Sequence, residues 1–193
     1  MKYLLTGETT ERLEFRLLKT SDFDAWLPLF EADNIVPFLG LDPKLTVRER
    51  CEFWFNKAFT RYKNDTGGMN VLVDKSTGKM VGQCGLIIQN VEGLERMEIG
   101  YSILPEHWRK GFAFEAAQKC KNFAFENNFV TSLMSMTHPD NIGSEKVAIR
   151  NGMTLERYID FFEGIPVNIF SIEKKNWHSS CLLYTSPSPR DGL

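Results

Sequence analysis

Two groups of residues in this chain have types and spacing suited to joint chemistry: the carboxylate of Glu98, and the run Trp108-Arg109-Lys110-Gly111-Phe112-Ala113 that follows it. A carboxylate can take a proton from an amine, directly or through water. The later run sets two cations beside a glycine at what reads as a strand-to-helix turn, where backbone N–H groups without helical partners converge. That is an anion cradle. A diphosphate suits it, because its charge lies on the helix N-terminus and its oxygens accept the free N–H groups. Each group also has a plainer reading. Glu98 could be a surface carboxylate or one salt-bridged to Arg96 or a neighbouring strand, Arg109 and Lys110 a solvated pair, and Gly111 a residue that merely lets the turn close.

The elements that must position these groups follow from periodicity. Around Glu98, Ile99, Tyr101 and Ile103 fall on one face and Glu98, Gly100 and Ser102 on the other, a strand with one polar side that stops at Pro105. The helix expected at about 111–127, with Arg109 and Lys110 at its first turn, places Ala113, Ala116, Ala117, Cys120 and Ala124 on one face, small enough for close approach to a sheet. Upstream, a strand at 13–18 leads to a helix carrying Trp26 and Phe30, with an N-cap offered by Thr20-Ser21-Asp22. A loop at 33–43 precedes the capping box Thr46-Val47-Arg48-Glu49, which opens a second helix ended by Gly67-Gly68. Strands follow at 70–74 and 80–89, with a turn at 90–94 before the Glu98 strand. Downstream come a strand at 132–136, a helix containing Val147 and Ala148 and closed by Asn151-Gly152, and strands at 155–162 and 168–174. The expected order is β-α-α-β-β-β-α-β-α-β-β, an α/β (α+β) chain.

The stretch 98–115 resembles the central motif of the GNAT superfamily of acetyl-CoA-dependent N-acetyltransferases, whose phosphate loop reads Arg/Gln-x-x-Gly-x-Gly/Ala. Trp108 departs from that general pattern. It is similar to the RimJ/RimL-type branch, named for ribosomal-protein N-terminal acetyltransferases, in which a tryptophan there, a preceding Glu-Ile-Gly-Tyr strand and a following Glu-Ala are familiar. The resemblance extends to about Trp177. It implies a GNAT fold, with a mixed, mostly antiparallel twisted sheet of about seven strands flanked by four helices. It implies acetyl-CoA as co-substrate, an amine acceptor (a protein N-terminus or a small molecule), direct transfer in a ternary complex, and no metal.

Residue by residue, the resemblance puts the diphosphate on Trp108, Arg109, Lys110, Gly111, Phe112 and Ala113, and pantetheine along Tyr101, Ser102 and Ile103, with a strand N–H facing the oxyanion. Glu98 becomes a candidate general base. Asn141 would contact the pantetheine arm or acetyl end, and Ser144 would hydrogen-bond or protonate the leaving thiolate. The alternatives are that Asn141 is a helix N-cap and Ser144 a first-turn residue, and that Tyr158 is the acid, as a tyrosine is in other branches. Phe38 and Leu39 are candidate acceptor walls, or else core plugs, and His138 is read as a loop residue. A catalytically idle acyl-CoA-binding regulatory domain is the competing function; it would keep Gly111, Ala113 and Asn141 without needing Glu98 or Ser144. Pairing of two copies through the C-terminal strands is the expected homodimer.

Composition narrows the classes further. The chain has 193 residues, 42% hydrophobic and 25% charged, in keeping with one domain over 1–180. Lys plus Arg number 23 against 25 Asp plus Glu, a net charge of -2, so nothing points to nucleic acid or an anionic membrane. No apolar run approaches the ~20 residues of a membrane span, and residues 1–6 are too short for a signal peptide, which makes the cytoplasm the expected location. Cys51, Cys84, Cys120 and Cys181 form no Cys-x-x-Cys pair, so metal binding is not expected; Cys84 and Cys120 read as core. Residues 181–191 resemble the translation of a transposase sequencing adapter, or alternatively a Ser/Pro-rich tail. On both readings no packed structure is expected at 181–193.

Overall fold

The computed structural model describes residues 2–32 and 34–177; the expected tail lies outside the described residues. In chain order the elements are β1 (Leu13–Arg16), α1 (Phe23–Glu31), α2 (Val47–Lys63), β2 (Gly67–Asp74), β3 (Met80–Val91), β4 (Leu94–Ile103), α3 (Phe112–Glu126), β5 (Ser132–Thr137), α4 (Ile142–Arg150), β6 (Thr154–Phe162) and β7 (Ile165–Glu173). This is the order that periodicity predicts. The strands form one seven-stranded sheet in the order β1-β2-β3-β4-β5-β7-β6. Every neighbouring pair is antiparallel except β4 and β5, which run parallel.

The two faces of the sheet are covered by different helices. On one, Ile99 and Ile103 of β4 and Cys84 and Leu86 of β3 pack against the small-residue stripe Ala116, Cys120 and Ala124 of α3. On the other, Trp26, Leu29 and Phe30 of α1 and Cys51 and Phe55 of α2 pack on Val71 and Met80. Trp26, Phe15, Phe30 and Phe125 are fully buried. Burial of each such side chain contributes about 1.5–3 kcal/mol. Cys84 and Cys120 face each other within the α3 layer, both fully buried, with sulfurs 3.5 Å apart.

Three local expectations change. Gly67-Gly68 does not end α2, whose C-cap is Asn64; the pair opens β2. A Cβ on Gly67 would sit 2.1 Å from Leu86 O and one on Gly68 2.7 Å from the Tyr62 ring, so close packing is what requires glycine there. Asp22 does not cap α1 with its side chain. Its carboxylate turns back to the Lys19 N–H at 2.8 Å and to the Arg16 guanidinium at 2.7 and 2.8 Å. The β3–β4 hairpin is tighter than expected, closing on Glu92-Gly93 with φ of 52° and 85°. Such positive φ at both corners suits the twist of a two-residue hairpin.

The parting of β4 from β5 matters most for the site. Their recorded pairing is Glu98 with Met134, beside which the Ser135 hydroxyl donates to Ile99 O at 2.9 Å. Beyond that point, Gly100 to Ile103 pair with β3 on one side and have no recorded partner in β5 on the other. The central strand therefore presents backbone groups without a strand partner on its way to the α3 turn, of which Ile103 O is taken by the Trp108 indole.

Candidate active site

At the C-terminal end of β4 the chain turns through residues 105–111 into α3. The helix begins at Phe112, so Arg109 and Lys110 precede it rather than forming its first turn, and Gly111 is its N-cap at φ +82°. Arg109 also holds a positive φ, 61°. The first recorded bond into the helix runs from Glu115 N–H to Gly111 O at 3.1 Å. The N–H groups of Phe112, Ala113 and Phe114 therefore point out of the helix start without an intrahelical acceptor. Trp108 closes the corner by donating its indole N–H to Ile103 O at 2.7 Å.

A clamp that sequence reasoning missed fixes this turn from the far N-terminus. Glu115, in the first turn of α3, accepts the Thr10 hydroxyl at 2.5 Å, the Arg12 N–H at 2.9 Å and Arg12 Nε at 2.6 Å. Arg12 Nη1 also donates to Lys110 O at 2.9 Å, and its guanidinium lies 4.5 Å from the centre of the Phe112 ring. Burial pushes the Glu115 carboxyl up, but the hydrogen bonds from Thr10 and Arg12 outweigh it and hold it below the usual range. No local pattern announces a contact between residues 103 apart in sequence.

At the opposite end of the cleft stands Glu98, 8% exposed. It is neither a surface carboxylate nor the partner of Arg96, which pairs with Glu156 at 2.7 Å. Gln89 Nε2 of β3 donates to Glu98 Oε2 at 2.8 Å, and the Met136 N–H also bonds the carboxylate. Arg61 of α2 donates from Nη2 to Gln89 Oε1 at 2.8 Å and from Nη1 to Ile88 O at 3.0 Å. Because a guanidinium can only donate, Arg61 fixes which end of the Gln89 amide faces Glu98. Burial drives the Glu98 pKa up; the Gln89 bond, the Arg61 charge and the Met136 N–H oppose it without reversing it. Neither Gln89 nor Arg61 was anticipated from the sequence.

Asn141 and Ser144 lie at the start of α4. Asn141 caps the helix, its Oδ1 accepting the Ser144 N–H at 3.1 Å. Ser144 O accepts the Tyr101 hydroxyl at 2.8 Å. Burial pushes that phenol far up. Tyr158, the alternative acid, is 52% exposed on β6 and does not line the cleft. Phe38 and Leu39 do line it, and the Phe38 ring lies 4.9 Å from that of His138. His138 Nδ1 accepts the Asp140 N–H at 3.1 Å.

One cavity of about 800 Å³ joins these parts. It is bordered by Trp108, Arg109, Gly111, Phe112 and Ala113 at one end, by Tyr101, Ser102, Ile103, Asn141 and Ser144 along its length, and by Glu98, Phe38 and Leu39 at the other. Of the residues expected from the sequence, Lys110 is outside this lining; its carbonyl is turned to Arg12. The arrangement offers an anion cradle, an open strand edge and a buried carboxylate in one continuous space. Among the described residues, no group of three or more His, Cys, Asp or Glu could hold a metal ion, and no helix is long and apolar enough to cross a membrane.

Known proteins resemble this chain in sequence or in fold. The uncharacterized protein YkkB of Bacillus subtilis (strain 168) is 30% identical over 156 residues, covering 80% of this chain and 88% of its own length. The crystal structure of the acetyltransferase from Agrobacterium tumefaciens str. C58 superposes with a TM-score of 0.71 at 24% identity, over 86% of this chain and 93% of that one. RimL, a ribosomal L7/L12 alpha-N-protein acetyltransferase solved in complex with coenzyme A, superposes with a TM-score of 0.69 at 18% identity, over 86% and 97%. The family model described as acetyltransferase (GNAT) domain matches residues 12–154. The chain belongs to the GNAT acetyltransferase family.

Proposed function

We propose that this chain is an N-acetyltransferase that moves the acetyl group of acetyl-CoA onto a primary amine by direct attack, with both substrates bound together. The observation that carries the reading is the continuity of one cavity from the α3 turn, along the unpaired edge of β4, to Glu98. Its volume of about 800 Å³ lies within the range of small-molecule sites.

The free N–H groups of Phe112, Ala113 and Phe114, with Arg109, hold the diphosphate. Backbone groups of Tyr101, Ser102 and Ile103 bond pantetheine as a neighbouring strand would. A thioester supplies an activated acyl carbon. Glu98, kept in place by Gln89, takes a proton from the amine, directly or through water, so that the nitrogen lone pair can form the new C–N bond. A backbone N–H of β4 stabilises the oxyanion. As the C–S bond breaks, the Ser144 hydroxyl hydrogen-bonds the departing thiolate and relays to it a proton supplied by solvent water, while Glu98 returns the amine's proton to solvent. The exposed side chains Leu155, Tyr158 and Phe161 on the edge strand β6 support pairing of two copies there, which sedimentation would test.

Calorimetric titration of acetyl-CoA, followed by assay of thiol release with a panel of amines, tests the reading. Binding with release is expected. Binding without release across the panel would make the chain an idle acyl-CoA-binding domain, and absence of binding would remove the reading altogether.

A further inference from the structure

Residues 7–12 precede β1, yet they reach the anion cradle. They fold back along β1, with the Gly7 N–H on Phe15 O at 2.8 Å, the Phe15 N–H on Glu8 O at 2.9 Å and the Thr10 N–H on Leu13 O at 2.8 Å. The tip of this fold is tied to the sheet edge as well. Lys75, just beyond β2, donates its N–H to Arg12 O at 2.9 Å and its Nζ to Thr10 O at 2.8 Å. Thr10 and Arg12 are thus anchored to the sheet independently of α3.

From that anchor the Arg12 side chain acts on the α3 turn in two ways. The first is to hold its backbone. Arg109 and Gly111 both take a positive φ, 61° and 82°, with Lys110 between them. A left-handed arginine is unfavourable and persists only where its surroundings fix it. Trp108 holds one side of the corner through Ile103 O. Arg12 holds the other: Nη1 donates to Lys110 O at 2.9 Å, and Nη2 passes 3.4 Å from where a Cβ on Gly111 would sit. The N–H groups of Phe112, Ala113 and Phe114 start from this fixed corner.

The second action is electrostatic. Glu115 places a carboxylate in the first turn of α3, where unpaired it would compete with a bound anion for the positive end of the helix. Arg12 Nε and Nη2 each lie 2.6 Å from its Oε2, while the Thr10 hydroxyl and the Arg12 N–H donate to Oε1. Neither Arg12 nor Glu115 borders the cavity. The carboxylate is turned toward residues 10–12, and its charge is matched there.

Resting on the acetyltransferase reading above, we infer that Arg12 is a positioning residue for the cofactor: by holding the Lys110 carbonyl and drawing off the Glu115 charge, it prepares the α3 turn for the diphosphate. It touches no substrate itself. Its loss weakens acyl donors that carry a diphosphate and spares those that do not.

The test compares wild type and Arg12→Met for binding of acetyl-CoA, by calorimetry, and of S-acetylpantetheine, which has the same thioester arm without phosphates, by NMR titration. The readout is the ratio of the two dissociation constants. Arg12→Met should weaken acetyl-CoA about 30-fold and S-acetylpantetheine less than about threefold. Adding Glu115→Gln removes the freed charge and should recover about fivefold of that loss. Equal losses for both ligands would make Arg12 a fold residue and overturn the proposal. So would an unchanged acetyl-CoA affinity, or a double variant no better than Arg12→Met. If Arg12→Met does not fold, Arg12→Lys, which replaces three donor nitrogens by one, carries the same comparison with an expected change in ratio of about fivefold. In all these cases wild type still binds acetyl-CoA, whereas its failure to do so removes the acetyltransferase reading and this one with it.

Discussion

The two ends of the cleft along β4 are built from different materials. At the strand's C-terminal end the anion cradle is mostly backbone: N–H groups at the start of α3, a positive φ at Arg109 and at Gly111, and a Trp108 indole bonded five residues back. Near Glu98 the site is mostly side chain on side chain, brought from α2 and β3, with one backbone N–H from β5. A backbone-built site leaves a contiguous motif, whereas a site assembled across strands leaves isolated residues whose meaning depends on register. The difference predicts that substitutions at the cradle end act on cofactor affinity, and those at the Glu98 end on turnover.

The largest effect is expected from Gly111→Glu. Its backbone at φ +82° is costly for any side chain, and a Cβ there would lie 3.4 Å from Arg12 Nη2. The added carboxylate would also face the diphosphate. Acetyl-CoA affinity should fall by about 100-fold or more in calorimetry. A folded variant with unchanged affinity would break the assignment of this turn.

Glu98→Gln should do the converse, lowering kcat by about 100-fold while acetyl-CoA affinity holds. If kcat is unaffected across neutral pH, Glu98 is not the base. The same variant carries a stability signature. Burial raises the folded-state pKa of Glu98 above its unfolded value, so the native state favours the protonated form. Its contribution to stability is fully present below the unfolded pKa and is lost as pH rises through the folded pKa. The stability of Glu98→Gln relative to wild type should therefore improve as pH is raised from about 4 to 8. Thermal unfolding at both ends of that range would show it.

How much of this was legible follows the same division. The order of elements, the alanine stripe of α3 and the Thr46–Glu49 capping box are local patterns, and all appear in the structure. The alternation around Glu98 identified its face but left a groove-facing base and a surface carboxylate both open, because a polar face of a strand usually meets water. Here α1, α2 and the loop between them cover that face as well. Arg61 and Gln89 were invisible for a related reason. Period two says which face a residue takes, not which residue it meets, and the meetings are set by register: Ile87 with Glu98, Gln89 with Arg96. The Arg12–Glu115 clamp links ends of the domain that no window of sequence contains.

Gln89→Leu probes the side-chain end more gently. Removing its amide takes away a hydrogen bond that stabilises ionised Glu98 and breaks the link to Arg61. The Glu98 pKa should rise further. Since a base must be ionised to act, the acid limb of the kcat/KM profile should move to higher pH, with kcat down about tenfold at neutral pH. An unmoved limb alongside lower stability would make Gln89 a packing residue.

Ser144→Ala should have the smallest effect, and it bears on both ends because Ser144 lines the cavity between them. Its structural work is done by backbone: the N–H is capped by Asn141 and the carbonyl accepts Tyr101. Alanine keeps both bonds, so the melting temperature should barely change. A loss in kcat of a few-fold, with acetyl-CoA affinity intact, would then belong to the hydroxyl and place it at the leaving sulfur. Equal kcat in both proteins would leave protonation of the thiolate to solvent. The side-chain chemistry of the cleft would then be confined to the Glu98 end.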